Sequence, residues 1–212
     1  MNANTSVEQT KDSSNAPGRI GKRAVLRFVI FLFLLPAVLF ISAGRLDWRM
    51  ARALVGLLVL STAVSRIVVM YQHPELLAER ARSLDADNAK EWDKPIVAVI
   101  GLFGPLVTWI VAGLDVRFGW SPQISLIFQL VALVIVAGGY FLGVWAMLAN
   151  KFFSAVVRIQ KERGHTVVTD GPYRLVRHPG YTGGAVAYLA TPIMLGSLWA
   201  LIPAGLTVVV LI

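Results

Sequence analysis

Apolar residues in this chain are grouped into long continuous runs that polar stretches separate. A helix needs about 18 to 20 consecutive apolar residues to cross the hydrocarbon core of a bilayer. Four runs reach that length, at residues 24–44, 51–71, 95–114 and 123–149. The pattern therefore predicts four membrane-spanning helices before residue 150.

A fifth apolar stretch covers residues 182–212 and is longer than one untilted crossing requires. Gly196, Ser197 and Pro203 lie inside it, and residues of these types break or kink helices. A single long kinked helix and a hairpin of two helices both fit, and we favour the hairpin. The predicted fold class is all-α, a polytopic transmembrane helix bundle with five or six spans.

Composition supports this interpretation and excludes other classes of protein. Hydrophobic residues make up 56% of the 212 residues and charged residues 15%, whereas soluble domains carry roughly 25% charged residues. A soluble globular enzyme, a disordered chain and a secreted disulfide scaffold are therefore excluded. Since the chain has no Cys and only three His, we expect no metal site. Residues 1–23, polar and basic, predict a disordered tail.

The net charge of +8 is distributed unevenly between the two predicted sides of the membrane. Fourteen Lys and Arg residues lie in the tail, in the loop after the second span and in the segment 150–181, whereas the opposite side carries four, Arg45, Arg49, Arg52 and Arg117. Because basic residues favour the cytoplasmic side, the N-terminus and the segment 150–181 are predicted to be cytoplasmic. Asp115 and Arg117 are expected to lie in a solvated turn on the other side.

The segment 150–181 is unusual for a connecting loop. It holds six basic and two acidic residues, two of the three His, two Tyr and two Pro. The β-branched run 166–169 predicts an extended stretch, and residues 170–172 predict a turn. Residues 173–178 can form one or two helical turns, which Pro179 and Gly180 are expected to interrupt.

Two interpretations of this segment follow from its chemistry. A basic juxtamembrane loop that contacts anionic lipid heads accounts for many of the charges. It does not account for His165, Tyr173, His178 and Tyr181, which are interleaved with turn residues. Tyrosine rings can stack on a flat heterocycle, arginine can hold a carboxylate, and histidine can move a proton, so a site for a polar ligand is the second interpretation.

The run Gly-Pro-Tyr-Arg-Leu-Val-Arg-His-Pro-Gly-Tyr at residues 171–181, with His-Thr-Val-Val at 165–168, resembles the isoprenylcysteine carboxyl methyltransferase family and the related phospholipid methyltransferases. Looser similarity to bacterial members extends through residues 92–94, 114–115 and 150–154. The resemblance implies a small multi-span membrane enzyme that uses S-adenosyl-L-methionine, in a bacterial inner membrane.

The resemblance also implies roles for particular residues. It assigns catalysis to His178 and Tyr181, and it assigns the cofactor pocket to these residues: His165, Thr166, Val167, Val168, Tyr173, His178, Pro179, Gly180 and Tyr181. A polar residue upstream of the first histidine completes the family's pocket. Spacing favours Arg158 for that position and residue type favours Gln160, so the choice stays open.

The resemblance predicts methylation of a carboxyl group on a lipophilic or thiol-derived acceptor. A carboxylate is already ionised at pH 7 and needs no general base, whereas an amine needs one, which His178 or His165 could supply. A phospholipid N-methyltransferase is therefore the first alternative. A sterol-type reductase that uses a nicotinamide cofactor and a non-enzymatic protein with a lipid-binding basic loop are further alternatives.

The expected partners are the bilayer and a lipophilic small-molecule or lipid substrate, with no nucleic acid. Family members continue beyond the last hydrophobic helix into an Arg-x-x-x-Glu-Glu/Asp element. This chain stops within the apolar run 208–212, so we expect it to be a C-terminally truncated fragment.

Overall fold

The computed structural model describes residues 22–72, 93–153 and 166–212, and every regular element in these ranges is helical. Six helices follow one another: α1 (Lys22–Ala43), α2 (Arg49–Gln72), α3 (Asp93–Ala98, a π-helical turn at Val99–Phe103, and Gly104–Phe118), α4 (Leu126–Ala149), α5 (Pro179–Leu195) and α6 (Leu201–Leu211). A 3₁₀ turn covers Gly171–Arg174. The predicted all-α class is confirmed. Residues 1–21 of the predicted tail lie outside the described residues, and α1 already begins at Lys22.

Three helices in the described ranges are long and apolar enough to cross a membrane: α2, the Pro95–Phe118 part of α3, and α4. Leu32–Ala43 of α1 and α6 are shorter apolar helical stretches. Many large apolar side chains on these helices are exposed, among them Ile127, Val134 and Phe141 of α4. Such surfaces suit contact with lipid tails, and they support a multi-pass membrane protein.

The C-terminal apolar stretch folds as two helices joined by a tight turn. Gly196 ends α5 with φ of +81°, a left-handed conformation that glycine adopts without steric cost. Its N–H donates to the carbonyl of Ile193. A Cβ on Gly184, early in α5, would lie 3.7 Å from Leu211 at the end of α6, so the two helices run antiparallel. The stretch is therefore a hairpin and not one kinked helix.

The π-helical turn in α3 changes the backbone hydrogen bonding just before Pro105. The N–H of Gly104 donates to the carbonyl of Val99, five residues earlier, and the next residue in this register is Pro105, which has no N–H. In this register no N–H faces the carbonyl of Ile100. The hydroxyl of Tyr188 on α5 donates to that carbonyl, so a side chain replaces the missing backbone hydrogen bond and joins α5 to α3.

Helices α4 and α5 pack closely against each other through glycine residues. A Cβ on Gly139 would lie 2.5 Å from the carbonyl oxygen of Gly183, and a Cβ on Gly183 would lie 2.5 Å from that of Gly139. The backbones touch because neither residue has a side chain, as in other membrane helix pairs that meet through small residues. This contact holds the beginning of α5 against the second half of α4.

The remaining helices enclose a core of apolar side chains. On α3, Gly113 faces the backbone of α1, since an added Cβ would lie 2.9 Å from the carbonyl oxygen of Leu39. Gly104 faces Thr207 on α6 in a similarly close contact. The largest fully buried apolar side chains are Leu35, Leu39, Leu54, Val69, Val136, Met194 and Leu195.

The bundle has two distinct ends. At one end Gly44 approaches Arg117, 3.4 Å from a Cβ position on the glycine, and Gly196 approaches Gln129. At the other end residues 150–153 and 171–180 come together. Arg45 and Arg117 thus share an end that is separate from residues 150–153 and 171–180. Which end faces the cytoplasm remains a prediction from the charge distribution.

Candidate functional site

The predicted site residues fall into three groups. Gln160, His165 and the alternative Arg158 lie outside the described residues. Residues 166–169 are described and have no regular secondary structure. Tyr173, His178, Pro179, Gly180 and Tyr181 lie on the 3₁₀ turn and on the beginning of α5.

The stretch 166–169 is open. Thr166 and Thr169 are exposed, Val168 is half-buried, and Val167 leaves 87% of its surface exposed. No backbone hydrogen bond joins this stretch to another part of the described chain. The predicted extended stretch therefore has irregular backbone, with no strand pairing to the described residues.

The turn at residues 171–174 rests on the end of α4. Gly171 has φ of +58°, and a Cβ there would lie 3.0 Å from that of Ala149 and 3.3 Å from Nε1 of Trp145. Glycine is needed for both reasons, conformation and close approach. Pro172 is buried, and its carbonyl accepts from the N–H groups of Leu175 and Val176.

Tyr173 is anchored through its hydroxyl. The amide Nδ2 of Asn150 donates to that oxygen at 3.1 Å, and the hydroxyl donates to the carbonyl of Ala146 at 3.4 Å. Burial raises the pKa of the Tyr173 hydroxyl above its ordinary value, and the hydrogen bond from Asn150 lowers the pKa in part. The hydroxyl is therefore held by α4, and only the remaining surface of the ring is free for a ligand.

Pro179 begins α5, so the expectation that it interrupts helical turns is corrected. It is buried at the first helical position, where its missing N–H costs nothing because that group has no intrahelical partner. Gly180 follows, and a Cβ there would lie 3.1 Å from the ring of Phe153. The predicted helical turns over 173–178 are limited to the 3₁₀ turn Gly171–Arg174.

His178 and Tyr181 stand beside each other at the beginning of α5. Their ring centroids are 5.8 Å apart and the ring planes are inclined by 26°, a stacked arrangement. Both side chains are exposed, with half of Tyr181 open to solvent. The backbone carbonyl of His178 accepts from the N–H and the hydroxyl of Thr182, while its imidazole makes no capping hydrogen bond. The pair offers an aromatic face and an imidazole together.

A second polar cluster lies at the opposite end of the bundle. Asp115 is 1% exposed, so the expectation of a solvated turn is wrong for this residue. Its carboxylate accepts hydrogen bonds from the backbone N–H and hydroxyl of Ser121, at 2.7 and 2.6 Å, and from the hydroxyl of Ser197 at 2.5 Å. Sequence reasoning missed this cluster because Asp115 and Ser197 are 82 residues apart.

Comparison with known proteins bears on the same part of the chain. Residues 127–212 match the phospholipid methyltransferase family. The matched part contains α4, the 3₁₀ turn, α5 and α6, together with every predicted site residue. The similarity to this methyltransferase family covers about two-fifths of the chain.

Several curated relatives are similar over shorter stretches. A protein from Schizosaccharomyces pombe named protein-S-isoprenylcysteine O-methyltransferase is 38% identical over 72 residues, which is 34% of this chain and 30% of its own. A rice protein (Oryza sativa subsp. indica) named "Probable protein-S-isoprenylcysteine O-methyltransferase" is 45% identical over 47 residues, 22% of this chain and 25% of its own. The chain thus spans about a quarter to a third of the length of these relatives. No solved structure matches the chain.

The described residues fit part of what S-adenosyl-L-methionine would require. The cofactor has a flat adenine, a polar amino acid group and a positively charged sulfur. The exposed rings of His178 and Tyr181 provide an aromatic surface, and the largely exposed stretch 166–169 carries backbone hydrogen-bond donors and acceptors. No cluster of metal-ligating side chains occurs in the ranges 22–72, 93–153 and 166–212.

Proposed function

We propose that the protein is an S-adenosyl-L-methionine-dependent integral membrane methyltransferase that methylates a carboxylate on a lipophilic, thioether-bearing acceptor. The observation that carries the proposal is the stacked, exposed pair His178 and Tyr181 at the beginning of α5. This pair lies in the part of the chain that matches a methyltransferase family. The names of the relatives, which specify isoprenylcysteine O-methylation, support the choice of acceptor.

Each group of residues would bind a different part of the cofactor. The ring of Tyr181 and the imidazole of His178 would cover a flat base, and the backbone of residues 166–169 would bind the polar parts of the cofactor. Pro179 and Gly180 would form the floor, since Gly180 lies against Phe153 and has no side chain to obstruct the site. Bound, the cofactor supplies a methyl group that its positively charged sulfur already activates.

The remaining task of the protein is alignment and exclusion of water. With the cofactor bound, a carboxylate oxygen of the acceptor would form a bond to the methyl carbon while the carbon–sulfur bond breaks, and the electron pair of that bond would stay on sulfur. The products would be a methyl ester and a neutral thioether. No proton moves, because the carboxylate is ionised at neutral pH, and no general base is needed.

A second candidate is N-methylation of a phospholipid amine. The observation in its favour is the exposed imidazole of His178, which would accept the proton that an ammonium group must lose before it can attack. On this alternative, replacement of His178 removes a base as well as part of the binding surface.

The test is a binding titration of the detergent-solubilised protein with S-adenosyl-L-methionine and its demethylated product, followed by transfer of a labelled methyl group. We expect binding, and we expect the His178→Ala and Tyr181→Ala variants to lose it. Tyr71→Ala, a change of the same kind at an 80% exposed tyrosine on α2, is the matched control. Equal affinities for all four proteins, or no binding by the parent, would contradict the proposal.

Acceptor specificity distinguishes the two candidates. The methyl group should pass to an isoprenylated cysteine with a free carboxylate and not to the same compound with its carboxylate amidated. Transfer to phosphatidylethanolamine in place of the isoprenylated cysteine would favour the second candidate.

A further inference from the structure

Asn150 occupies the position where α4 ends and the candidate site begins. It is the C-terminal cap of α4, with φ of −126° and ψ of 99°, which take the chain out of the helix. The last carbonyl groups of a helix have no partner within the helix, and the chain here must both satisfy them and turn sharply. The side chain of Asn150 makes two hydrogen bonds at this point, in two directions.

The first hydrogen bond shapes the turn after α4. The side-chain oxygen Oδ1 of Asn150 accepts from the N–H of Phe152 at 2.8 Å, and its backbone carbonyl accepts from the N–H of Phe153 at 3.0 Å. This is the local bonding that asparagine favours in turns. It sets the direction of Phe153, whose ring contacts Gly180.

The second hydrogen bond crosses to the turn at residues 171–174. The amide Nδ2 of Asn150 donates to the hydroxyl of Tyr173 at 3.1 Å. That hydroxyl in turn reaches the carbonyl of Ala146 in the last turn of α4. The position of Tyr173 fixes the turn from which the chain runs, five residues later, into His178.

We infer that Asn150 is a positioning residue of the candidate cofactor site, because it holds Tyr173 on one side and the Phe153–Gly180 contact on the other. It acts through Tyr173 and Phe153, which border the proposed site, and neither of its two side-chain hydrogen bonds goes to His178 or Tyr181. The inference rests on the proposed function, since the residues it positions are those proposed to bind the cofactor.

Three variants separate the parts of this role. Asn150→Ala removes both side-chain hydrogen bonds. Tyr173→Phe removes the hydroxyl alone. Asn150→Asp is the conservative change, because a carboxylate still accepts from the N–H of Phe152 and can accept a hydrogen bond from the Tyr173 hydroxyl. Tyr71→Phe, at an exposed tyrosine, is the control for Tyr173→Phe.

The measurement is the Kd of the demethylated cofactor for each purified full-length variant, with thermal unfolding measured on the same samples. Misplacement of binding groups by a fraction of an ångström costs large factors, so we expect Asn150→Ala to weaken binding about tenfold or more. Asn150→Asp should restore most of the affinity, and Tyr71→Phe should match the parent. In a Tyr173→Phe background, Asn150→Ala should cost clearly less than it costs in the parent, because the two residues act on the same contact.

These measurements distinguish a failure of the inference about Asn150 from a failure of the proposed function. If the parent does not bind the demethylated cofactor, the proposed function is wrong and the role of Asn150 falls with it. If the parent binds and Asn150→Ala binds equally well, the inference alone is wrong. It is also wrong if Asn150→Asp is as impaired as Asn150→Ala, or if the losses from Asn150→Ala and Tyr173→Phe simply multiply. Should Asn150→Ala fail to fold, Tyr173→Phe with unchanged Kd would still overturn the inference.

Discussion

The hydroxyl of Ser197 donates a hydrogen bond of 2.5 Å to the buried carboxylate of Asp115, and this contact fastens the α5–α6 turn to the end of α3. Ser121 binds the same carboxylate, and its hydroxyl accepts from the N–H of Leu198. The hydroxyl of Ser197 also accepts from the N–H of Ala200. One carboxylate therefore organises two loops.

We predict that Asp115→Ala lowers the stability of the protein by about 2–4 kcal/mol, since it leaves buried donors without an acceptor. Asp115→Asn should cost less, because one oxygen can still accept from Ser121. Asp47→Ala is the matched control, since Asp47 is an exposed carboxylate paired with Arg45, and such pairs contribute little. Thermal unfolding in detergent measures all three, and equal midpoints for Asp115→Ala and Asp47→Ala would contradict the prediction.

The contact between Gly139 and Gly183 predicts a position-specific effect in α4. Gly139→Ala places a methyl group 2.5 Å from the carbonyl oxygen of Gly183, and overpacking against a backbone costs about 1–3 kcal/mol or more. Gly138→Ala, one residue earlier, meets nothing within 4 Å and should be neutral or slightly stabilising because alanine favours helices. Unfolding midpoints in the same detergent check the difference, and similar midpoints for the two variants would show that the helices are not so close.

The hydroxyl of Tyr173 predicts a dependence on alkaline pH. Because burial raises the pKa of Tyr173, the folded protein favours the protonated form. The contribution of Tyr173 to stability is therefore complete below about pH 10, the ordinary tyrosine pKa, and is lost as the pH rises through the raised pKa of the folded state. Tyr173→Phe should remove this component of the pH dependence.

The titration of Tyr173 can be followed by absorbance. The tyrosinate absorbance of the parent, less that of Tyr173→Phe, reports the titration of Tyr173. The hydrogen bond from Asn150 lowers the pKa of Tyr173, so Asn150→Ala should shift this difference titration to higher pH. A shift to lower pH, or none, would mean that Asn150 does not donate to Tyr173 in solution.

The π-helical turn of α3 predicts a compensating pair of substitutions. Tyr188→Phe removes the donor to the carbonyl of the half-buried Ile100, and loss of such a hydrogen bond costs about 0.5–1.5 kcal/mol. Pro105→Ala restores a backbone N–H in the same register, so Tyr188→Phe should cost less in a Pro105→Ala background. Thermal unfolding of the two single variants and the double variant gives the coupling, and strictly additive losses would contradict this account of the turn.

Sequence reasoning succeeded where the cause is local. The apolar runs predict most ends of α2, α3 and α4 to within two residues. The exceptions are the C-terminal end of α3, which lies four residues beyond the predicted limit, and the N-terminal end of α4, which lies three residues later than predicted. Gly196 marks the break of the C-terminal hairpin because glycine readily adopts the conformation needed there. The motif at residues 171–181, recognised from side-chain types alone, lies in the part of the chain that matches the phospholipid methyltransferase family.

Reasoning from sequence failed where distant residues meet. Asp115 next to Arg117 has the pattern of a solvated turn, and only the approach of Ser197 explains its burial. The hydroxyl of Tyr173 is bound by Asn150 and Ala146 of α4, a contact that the sequence pattern does not indicate. Neither partner could be inferred from spacing.

Helix content, the apolar runs and the identity of the candidate motif are thus properties of the sequence, since each depends on neighbouring residues and on the thickness of a bilayer. The contact of Gly139 with Gly183, the bond from Ser197 to Asp115 and the anchoring of Tyr173 by Asn150 arise only in the folded bundle. They depend on which helix faces which, and in a membrane that choice follows from backbone approach and polar pairing, because apolar character is the same on every lipid-facing surface.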